Sequence, residues 1–284
     1  MPIGSMLNQK PVRPFKLCKG EWTPSLLNID QTIVTIKIGP SAKEYTIHRE
    51  LLCRASPYFD RAFKRDFVEA QDRVISLADV STETFDVFQE WVYSGTLTFP
   101  YDVTQLGKAK PGAELCSECK KELPSGNEEM NPLGEWAEDL LELYVFADKY
   151  DTLLLRREIM ITYQLMGEVH NTYPGWFMVS KAFAELPHNS QFCSYLVDAY
   201  RRWWDPRKGV CKCRPSEEHE AFRASENLPP AFMYQLMTRY GQNCRIASVL
   251  LMLNWCKFHE HANEDDIEAC QTRRKADGRR AGCC

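Results

Sequence analysis

The chain has 284 residues, of which 44% are hydrophobic and 26% are charged, a composition typical of a globular protein with a packed core. Its 39 acidic and 35 basic residues leave a formal net charge of −4, so no global positive field favours nucleic acid as a partner. The 12 cysteines are too few for a disulfide scaffold, and the sequence shows neither the apolar core of a secretion signal nor an apolar run that could cross a membrane. We therefore expect an intracellular protein, in the cytoplasm or the nucleus, whose cysteines are mostly reduced.

Three strands are predicted in the first hundred residues. Apolar and polar side chains alternate at residues 32–38 and again at residues 44–48, which is the period of a half-buried strand. The turn signal Gly39-Pro40-Ser41 joins the two segments closely enough for them to pair as a hairpin. A third strand is predicted near residues 74–77.

Three helices are predicted between and after these strands. The first spans residues 49–55. Ser56 can cap the second helix by accepting a backbone N–H with its hydroxyl, and Pro57, which has no N–H to satisfy, suits the first helical position. Ser81 marks the start of the third helix and Gly95 its end, because glycine readily adopts the left-handed conformation that closes a helix.

The remainder of the chain has a helical pattern with two interruptions. Turn signals accumulate at residues 100–134 and 205–230, which we interpret as exposed loops. Helices are predicted at residues 137–150 and 153–163, and the helical pattern continues to about residue 259. Strands and short helices followed only by helices predict an α+β domain with an all-helical extension.

The order of the N-terminal segments resembles that of a BTB/POZ domain. The resemblance rests on five pieces of sequence that stand in the family's order: residues 32–39, 45–52, 55–59, 74–80 and 91–97. A further helix at residues 140–150 is similar to the next helix of the family. The resemblance implies the BTB/POZ fold, in which a small mixed sheet is flanked by a helical cluster.

The resemblance also implies a domain organisation. We expect an N-terminal extension at residues 1–27, a BTB/POZ domain at 28–165 with a loop insertion at about 100–134, an all-helical region at 166–265 and a basic tail at 266–284. A helical C-terminal region without kelch or zinc-finger repeats resembles the BTB proteins common in filamentous fungi.

The resemblance implies a protein-interaction module, not an enzyme. The residues agree, since the sequence has no Gly-rich phosphate loop, no Gly-x-Ser-x-Gly elbow and no His-Glu-x-x-His motif. His48, which precedes the first helix, matches a family histidine with a structural role. We expect other proteins as partners and no small-molecule substrate, nucleic acid or membrane.

A homodimer is the first interaction that the resemblance implies. In the family, the first helix and an N-terminal segment pack across a two-fold axis. Leu51 and Leu52 match that helix, and Leu26 and Leu27 can lie on the exchanged segment. The alternative is that these leucines belong only to the core of their own chain.

A cullin scaffold is the second partner that the resemblance implies, because many family members are substrate adaptors of cullin-type ubiquitin ligases. The matching surface lies around the second and third helices, and the residues predicted to bind a partner are Tyr58, Arg61, Phe63 and Tyr93. The proteins that such an adaptor would deliver are not identifiable from the sequence. The alternative function is a transcription- or chromatin-associated regulator that acts through the basic tail or a zinc-ordered loop.

Two cysteine pairs in the predicted loops are candidate zinc ligands. Cys116 and Cys119 lie in the first loop, Cys211 and Cys213 in the second, and His219 is a substitute ligand. Two thiolates from each loop would complete a tetrahedral structural zinc site. The alternatives are unliganded thiols or, for the first pair, a redox-sensing role.

The C-terminal residues carry two weaker signals. Cys256 and His259 have ligand-like spacing, but we interpret them as the surface and core of a helix. The basic residues of the tail, followed by Cys283 and Cys284, predict a solvated end, with nuclear import and lipidation as alternatives.

Overall fold

The computed structural model describes residue 27 and residues 29–64, 71–97, 132–170, 174–203, 228–241 and 255–276. The chain divides into two compact units, Met1–Gly107 and Lys108–Cys284. No helix within the described residues has the length and apolar character needed to cross a membrane.

The first unit contains a three-stranded mixed sheet. Its strands are β1 (Ile33–Ile38), β2 (Lys43–His48) and β3 (Val74–Leu77). Strand β1 lies in the centre, antiparallel to β2 and parallel to β3. The turn between β1 and β2 passes through Gly39, whose φ of 71° lies in the left-handed region that favours glycine. The predicted hairpin and third strand are therefore confirmed.

Helices α1 (Arg49–Ala55), α2 (Pro57–Lys64) and α3 (Thr82–Ser94) accompany this sheet. The predicted caps are present. The Ser56 hydroxyl accepts the Phe59 N–H at 3.3 Å, and the Ser81 hydroxyl accepts the Thr84 N–H at 3.1 Å. Helix α3 ends at Gly95, which has a φ of 69°.

The core of the first unit lies between one face of the sheet and the helices. Val34, Ile36 and Ile38 alternate along β1 and are almost fully buried. The aromatic face of α3 is buried as well and includes Phe88 and Trp91, whose rings stack with centroids 6.2 Å apart. Apolar burial of this kind is the main force that stabilises a small domain.

The described part of the second unit is all helical. It contains α4 (Pro132–Lys149), α5 (Leu153–His170), α6 (Trp176–Glu185), α7 (Gln191–Trp203), α8 (Pro230–Gly241), the 3-10 helix Trp255–Phe258 and α9 (Glu264–Ala276). The predicted fold class, an α+β domain followed by a helical region, is confirmed.

Several boundaries differ from the prediction. Helix α5 ends at His170 and is therefore longer than the helix predicted at residues 153–163. Helix α4 begins at Pro132, inside the stretch interpreted as a loop, because a proline after asparagine serves as the first residue of a helix as well as a turn signal. Helix α9 includes the first residues of the predicted basic tail.

A chain of aromatic contacts forms the core of the second unit. Tyr163 contacts Phe192 on α7, with ring centroids 5.1 Å apart, and Tyr195, at 5.6 Å. Tyr195 in turn contacts Phe258 at 5.3 Å, and Phe258 is fully buried. Phe258 therefore anchors the 3-10 helix to α5 and α7.

Candidate functional site

Helix α2 has two faces that differ in exposure. Phe59 and Phe63, four residues apart, are buried in the core. Tyr58 and Arg61, three residues apart on the other face, are exposed, Tyr58 to 36%. Of the residues predicted to bind a partner, Tyr58 and Arg61 therefore offer a surface, whereas Phe63 packs inside its own domain.

Tyr93, the fourth residue of that predicted set, contacts His48 near the end of β2. Its hydroxyl lies 2.9 Å from Nδ1 of His48 and accepts the His48 backbone N–H at 3.1 Å. Both side chains are half-buried. The pair joins the end of the sheet to helix α3, in keeping with the structural role predicted for His48.

The leucines predicted at a dimer interface differ in how much of each side chain is exposed. Leu51 and Leu52 on α1 are fully buried within one chain, so they pack in its core. Leu27 is 84% exposed, and Ile33, the first residue of β1, is 42% exposed. Leu26 lies outside the described residues.

Asp30 holds the segment that follows Leu27 against helix α1. One of its carboxylate oxygens accepts the Thr32 N–H at 3.0 Å and the Thr32 hydroxyl at 2.7 Å, and the other accepts from the Arg49 guanidinium at 2.8 Å. The Asp30 N–H donates to the Glu50 carboxylate at 2.6 Å. The hydrogen bonds from Thr32, with that from Arg49, hold the pKa of Asp30 below its usual value. These hydrogen bonds therefore hold the backbone just before β1 against the start of α1.

The cysteines predicted as zinc ligands, Cys116, Cys119, Cys211 and Cys213, lie outside the described residues, as does His219. A different set of metal-binding side chains converges near the C-terminus of the chain. This C-terminal cluster consists of Cys256, His259, His261 and Cys270.

The C-terminal cluster brings two sulfurs and two imidazoles together. Its four ligand atoms all lie within 4.8 Å of one another. Cys256 lies in the 3-10 helix, His259 and His261 in the turn that follows, and Cys270 in α9. His259 is buried, Cys256 and Cys270 are half-buried, and the side chain of His261 is only 5% exposed. Such a donor set can hold a metal ion.

The backbone of the turn positions both histidines. The His259 N–H donates to the carbonyl of Cys256 at 3.3 Å, and the His261 N–H donates to the carbonyl of His259 at 3.1 Å. The Asn263 side chain then accepts the Asp266 N–H at 2.9 Å, which caps the start of α9. These hydrogen bonds turn the chain back so that α9 returns toward the 3-10 helix.

Two arginines of α5 anchor this turn. Arg156 makes a bidentate ion pair with Glu260 at 2.8 and 2.7 Å. Arg157 makes another with Asp266, at 3.2 and 2.9 Å. Although burial alone would raise the pKa of Asp266, the hydrogen bonds from the Ala262 N–H and from Arg157 lower it. The cluster therefore lies on a segment that is fixed from outside by charged hydrogen bonds.

The contacts of His259 and Cys270 define the electrostatics of the cluster. Nε2 of His259 lies 3.2 Å from Oε1 of Gln164, and Nδ1 lies 3.5 Å from the sulfur of Cys270. Burial lowers the pKa of His259, which favours the neutral imidazole. Hydrogen bonding to Cys256, with further contributions from His259, lowers the pKa of the Cys270 thiol. A neutral imidazole beside a thiol that ionises readily is the combination in which these side chains bind metals.

Sequence reasoning identified half of the C-terminal cluster. The spacing of Cys256 and His259 suits a ligand pair, although the sequence pattern predicts a continuous helix through both. The pattern gives no sign of His261 and Cys270, because a helical period does not place them beside the first two. The sequence Cys-x-x-His-x-His was the available signal.

Comparison with known proteins agrees with the fold of the first unit. Residues 26–109 match the family model of the BTB/POZ domain. The chain is 31% identical over 95 residues to Kelch repeat and BTB domain-containing protein 4 of Homo sapiens, an alignment that covers 31% of this chain and 18% of that protein. The protein of the same name from Mus musculus is 30% identical over 76 residues, covering 27% of this chain and 14% of the relative. The chain thus spans less than a fifth of the length of these relatives.

The mixed sheet with its helices and the family match define the class of the N-terminal domain. The chain contains a BTB/POZ domain at residues 26–109, the segment that matches the family model and includes the mixed sheet. Because BTB/POZ domains bind other proteins, the first unit is a protein–protein interaction module.

Proposed function

We propose that this chain is a non-enzymatic adaptor that self-associates through its BTB/POZ domain and binds a cullin scaffold through helix α2. The observation that carries the proposal is the division of α2 into a buried aromatic face and an exposed face with Tyr58 and Arg61. Tyrosine and arginine are the residue types most often found at the energetic centres of protein interfaces.

The N-terminal end of the domain supports self-association. Leu27 and Ile33 are large apolar side chains with high exposure in the single chain. Asp30 fixes the backbone that leads into β1, so the position of Ile33 is already set before a partner binds. A fixed apolar surface loses little conformational entropy on association.

Arg61 gives the proposed binding surface of α2 a group that can form directional hydrogen bonds. An exposed guanidinium can form a bidentate pair with a carboxylate of the partner, while the ring of Tyr58 covers apolar surface beside it. Phe59 and Phe63 hold the helix to the core, so the exposed face is presented on a rigid element.

Affinity purification of the tagged full chain tests the proposal. We expect a cullin among the proteins recovered with the wild-type chain. The double variant Tyr58→Ala/Arg61→Glu should recover about tenfold less, because it removes two candidate interface centres at exposed positions of α2.

The control is Tyr234→Ala, which changes a tyrosine of α8 that is 73% exposed. This variant should recover as much cullin as the wild type. Absence of any cullin from the wild-type sample would rule out the adaptor role, and equal recovery with the double variant would rule out α2 as the docking helix.

A further inference from the structure

The C-terminal cluster has the composition of a structural metal site. We propose that Cys256, His259, His261 and Cys270 bind one Zn²⁺ ion, which joins the 3-10 helix to helix α9. None of these four residues belongs to the proposed binding surfaces of the BTB/POZ domain, so the metal site does not depend on the proposed function.

The separations in the cluster are close to those of tetrahedral zinc. The four ligand atoms lie within 4.8 Å of one another. Zinc bonds of about 2.3 Å to sulfur and 2.0–2.1 Å to nitrogen place neighbouring ligand atoms about 3.3–3.8 Å apart. Side-chain movements of about 1 Å or less would close the site around an ion of this size.

His259 is held with the correct nitrogen toward the cluster. Its Nε2 lies 3.2 Å from the side-chain oxygen of Gln164, which can only accept, so Nε2 carries the proton. The lone pair is then on Nδ1, the atom that lies 3.5 Å from the sulfur of Cys270. A hydrogen bond that fixes the tautomer of a ligating histidine in this way is a regular feature of zinc sites.

The ring nitrogens of His261 are a second, independent observation in favour of a bound metal. Its side chain is only 5% exposed, yet among the described residues neither ring nitrogen has a hydrogen-bond partner. The nearest carboxylate oxygen, on Asp266, lies 3.5 Å from Nδ1. Because buried polar atoms are rarely left unsatisfied, this imidazole requires a partner. A metal on Nε2, with Nδ1–H directed to Asp266, would satisfy both nitrogens.

The donor set favours zinc over calcium and magnesium. Calcium and magnesium prefer oxygen ligands, whereas two thiolates and two imidazoles form a common tetrahedral zinc environment. Two thiolates also balance the charge of the ion, so the loaded site is neutral and can be half-buried. The surrounding charges are already engaged, since Glu260 and Asp266 bind Arg156 and Arg157.

Four protein ligands leave no open coordination position, so the site is structural and not catalytic. All four come from a segment of 15 residues, and three of them precede α9 while Cys270 lies within it. Helix α9 has few apolar residues, and its charged first turn carries Glu264, Asp265 and Asp266. A metal would therefore hold in place a helix that its own apolar contacts secure only weakly.

Metal analysis of the full chain, purified with its tag removed, is the first test. We expect about one zinc per chain in the wild type and loss of that zinc in Cys256→Ser and Cys270→Ser. Cys53→Ser, a change in the first unit, and the loop variant Cys116→Ser/Cys119→Ser should both retain it. Wild-type protein without zinc, or zinc that is lost only in the loop variant, would overturn the proposal.

Two further experiments on the wild-type chain, cobalt loading and thiol labelling, test the site even if the serine variants fail to fold. Wild-type chain loaded with Co²⁺ should show the visible absorption of tetrahedral cobalt and a thiolate charge-transfer band. A chelator should make Cys256 and Cys270 reactive toward an alkylating agent in the folded protein. Cys193 is the internal control, because it is fully buried and burial raises its pKa to about 11.

Two results of these experiments would contradict the site. One is a cobalt spectrum without thiolate bands, together with labelling that the chelator does not change. The other is a Cys256–Cys270 disulfide found by peptide mapping of the protein purified without reductant, since a disulfide removes both thiolate ligands.

Discussion

At the scale of single residues, the hydroxyl of Tyr93 is a contact that joins two elements of the BTB/POZ domain. It lies 2.9 Å from Nδ1 of His48 and accepts the backbone N–H of the same residue at 3.1 Å. Because Tyr93 is half-buried, water has limited access to the His48 N–H and cannot fully replace the hydroxyl as its acceptor. This hydroxyl therefore stabilises the junction of β2 with α3.

Tyr93→Phe tests this contact. The variant keeps the ring but removes the hydroxyl, which leaves a backbone N–H without its acceptor. We expect the free energy of unfolding to fall by about 1 kcal/mol, measured by urea denaturation. Tyr234→Phe, at a position 73% exposed, should change it by less than about 0.5 kcal/mol. Equal stability of the two variants would show that the Tyr93 contact is not stabilising.

The sequence predicts which side chains share a face of a helix better than it predicts which face is buried. The apolar side chains of α3 recur at helical spacing, and Phe88 and Trp91 among them are fully buried. Leu51 is predicted at the dimer interface and Phe63 at the partner surface, and both are buried in the single chain. A sequence shows the period of a helix and therefore its faces, but which face meets the core depends on how the helix packs against distant strands.

At the scale of elements, the caps determine where the helices begin. Ser81 precedes α3 with an extended backbone, and its hydroxyl accepts the Thr84 N–H at 3.1 Å. Without that acceptor, one of the first four N–H groups of the helix loses its partner.

Ser81→Ala should therefore lower the free energy of unfolding by about 1 kcal/mol, with a matching decrease in melting temperature measured by circular dichroism. The control is Ser76→Ala, which makes the same change at an exposed position of β3 and should be close to neutral. A loss of stability at Ser76 as large as that at Ser81 would contradict the capping explanation.

The predictable elements were those with strong local signals. The hairpin followed from alternation and a short turn, and α3 followed from its serine and glycine ends. Helix α9 was not predicted, because it has few apolar residues and its position depends on Asp266 reaching Arg157 on a distant helix. The C-terminal cluster depends on the same return of the chain, so local pattern alone could not bring Cys270 to the histidines.

At the scale of the whole molecule, an interaction domain is combined with a unit whose described part is helical. The family model covers residues 26–109, a segment that includes the three strands of the mixed sheet and helices α1 to α3. The predicted extension of the domain to residue 165 and the resemblance to fungal proteins stay predictions. The same holds for a regulatory role through the basic tail.

Self-association is the property on which the adaptor proposal depends most. Leu27 and Ile33 form the exposed apolar surface to which we assign it, with exposed fractions of 84% and 42%. Contact with a second copy would remove this apolar area from water, which favours association. The double variant Leu27→Asp/Ile33→Thr should weaken the dimer, whereas Met237→Asp, at an α8 position 68% exposed, should not.

Sedimentation velocity of the full chain over a range of concentrations measures this most directly. We predict a wild-type species of twice the 32.9 kDa chain mass, and a shift of the Leu27→Asp/Ile33→Thr variant toward the monomer. A wild-type chain that remains strictly monomeric at tens of micromolar would contradict the account, as would a variant that dimerises as strongly as the wild type.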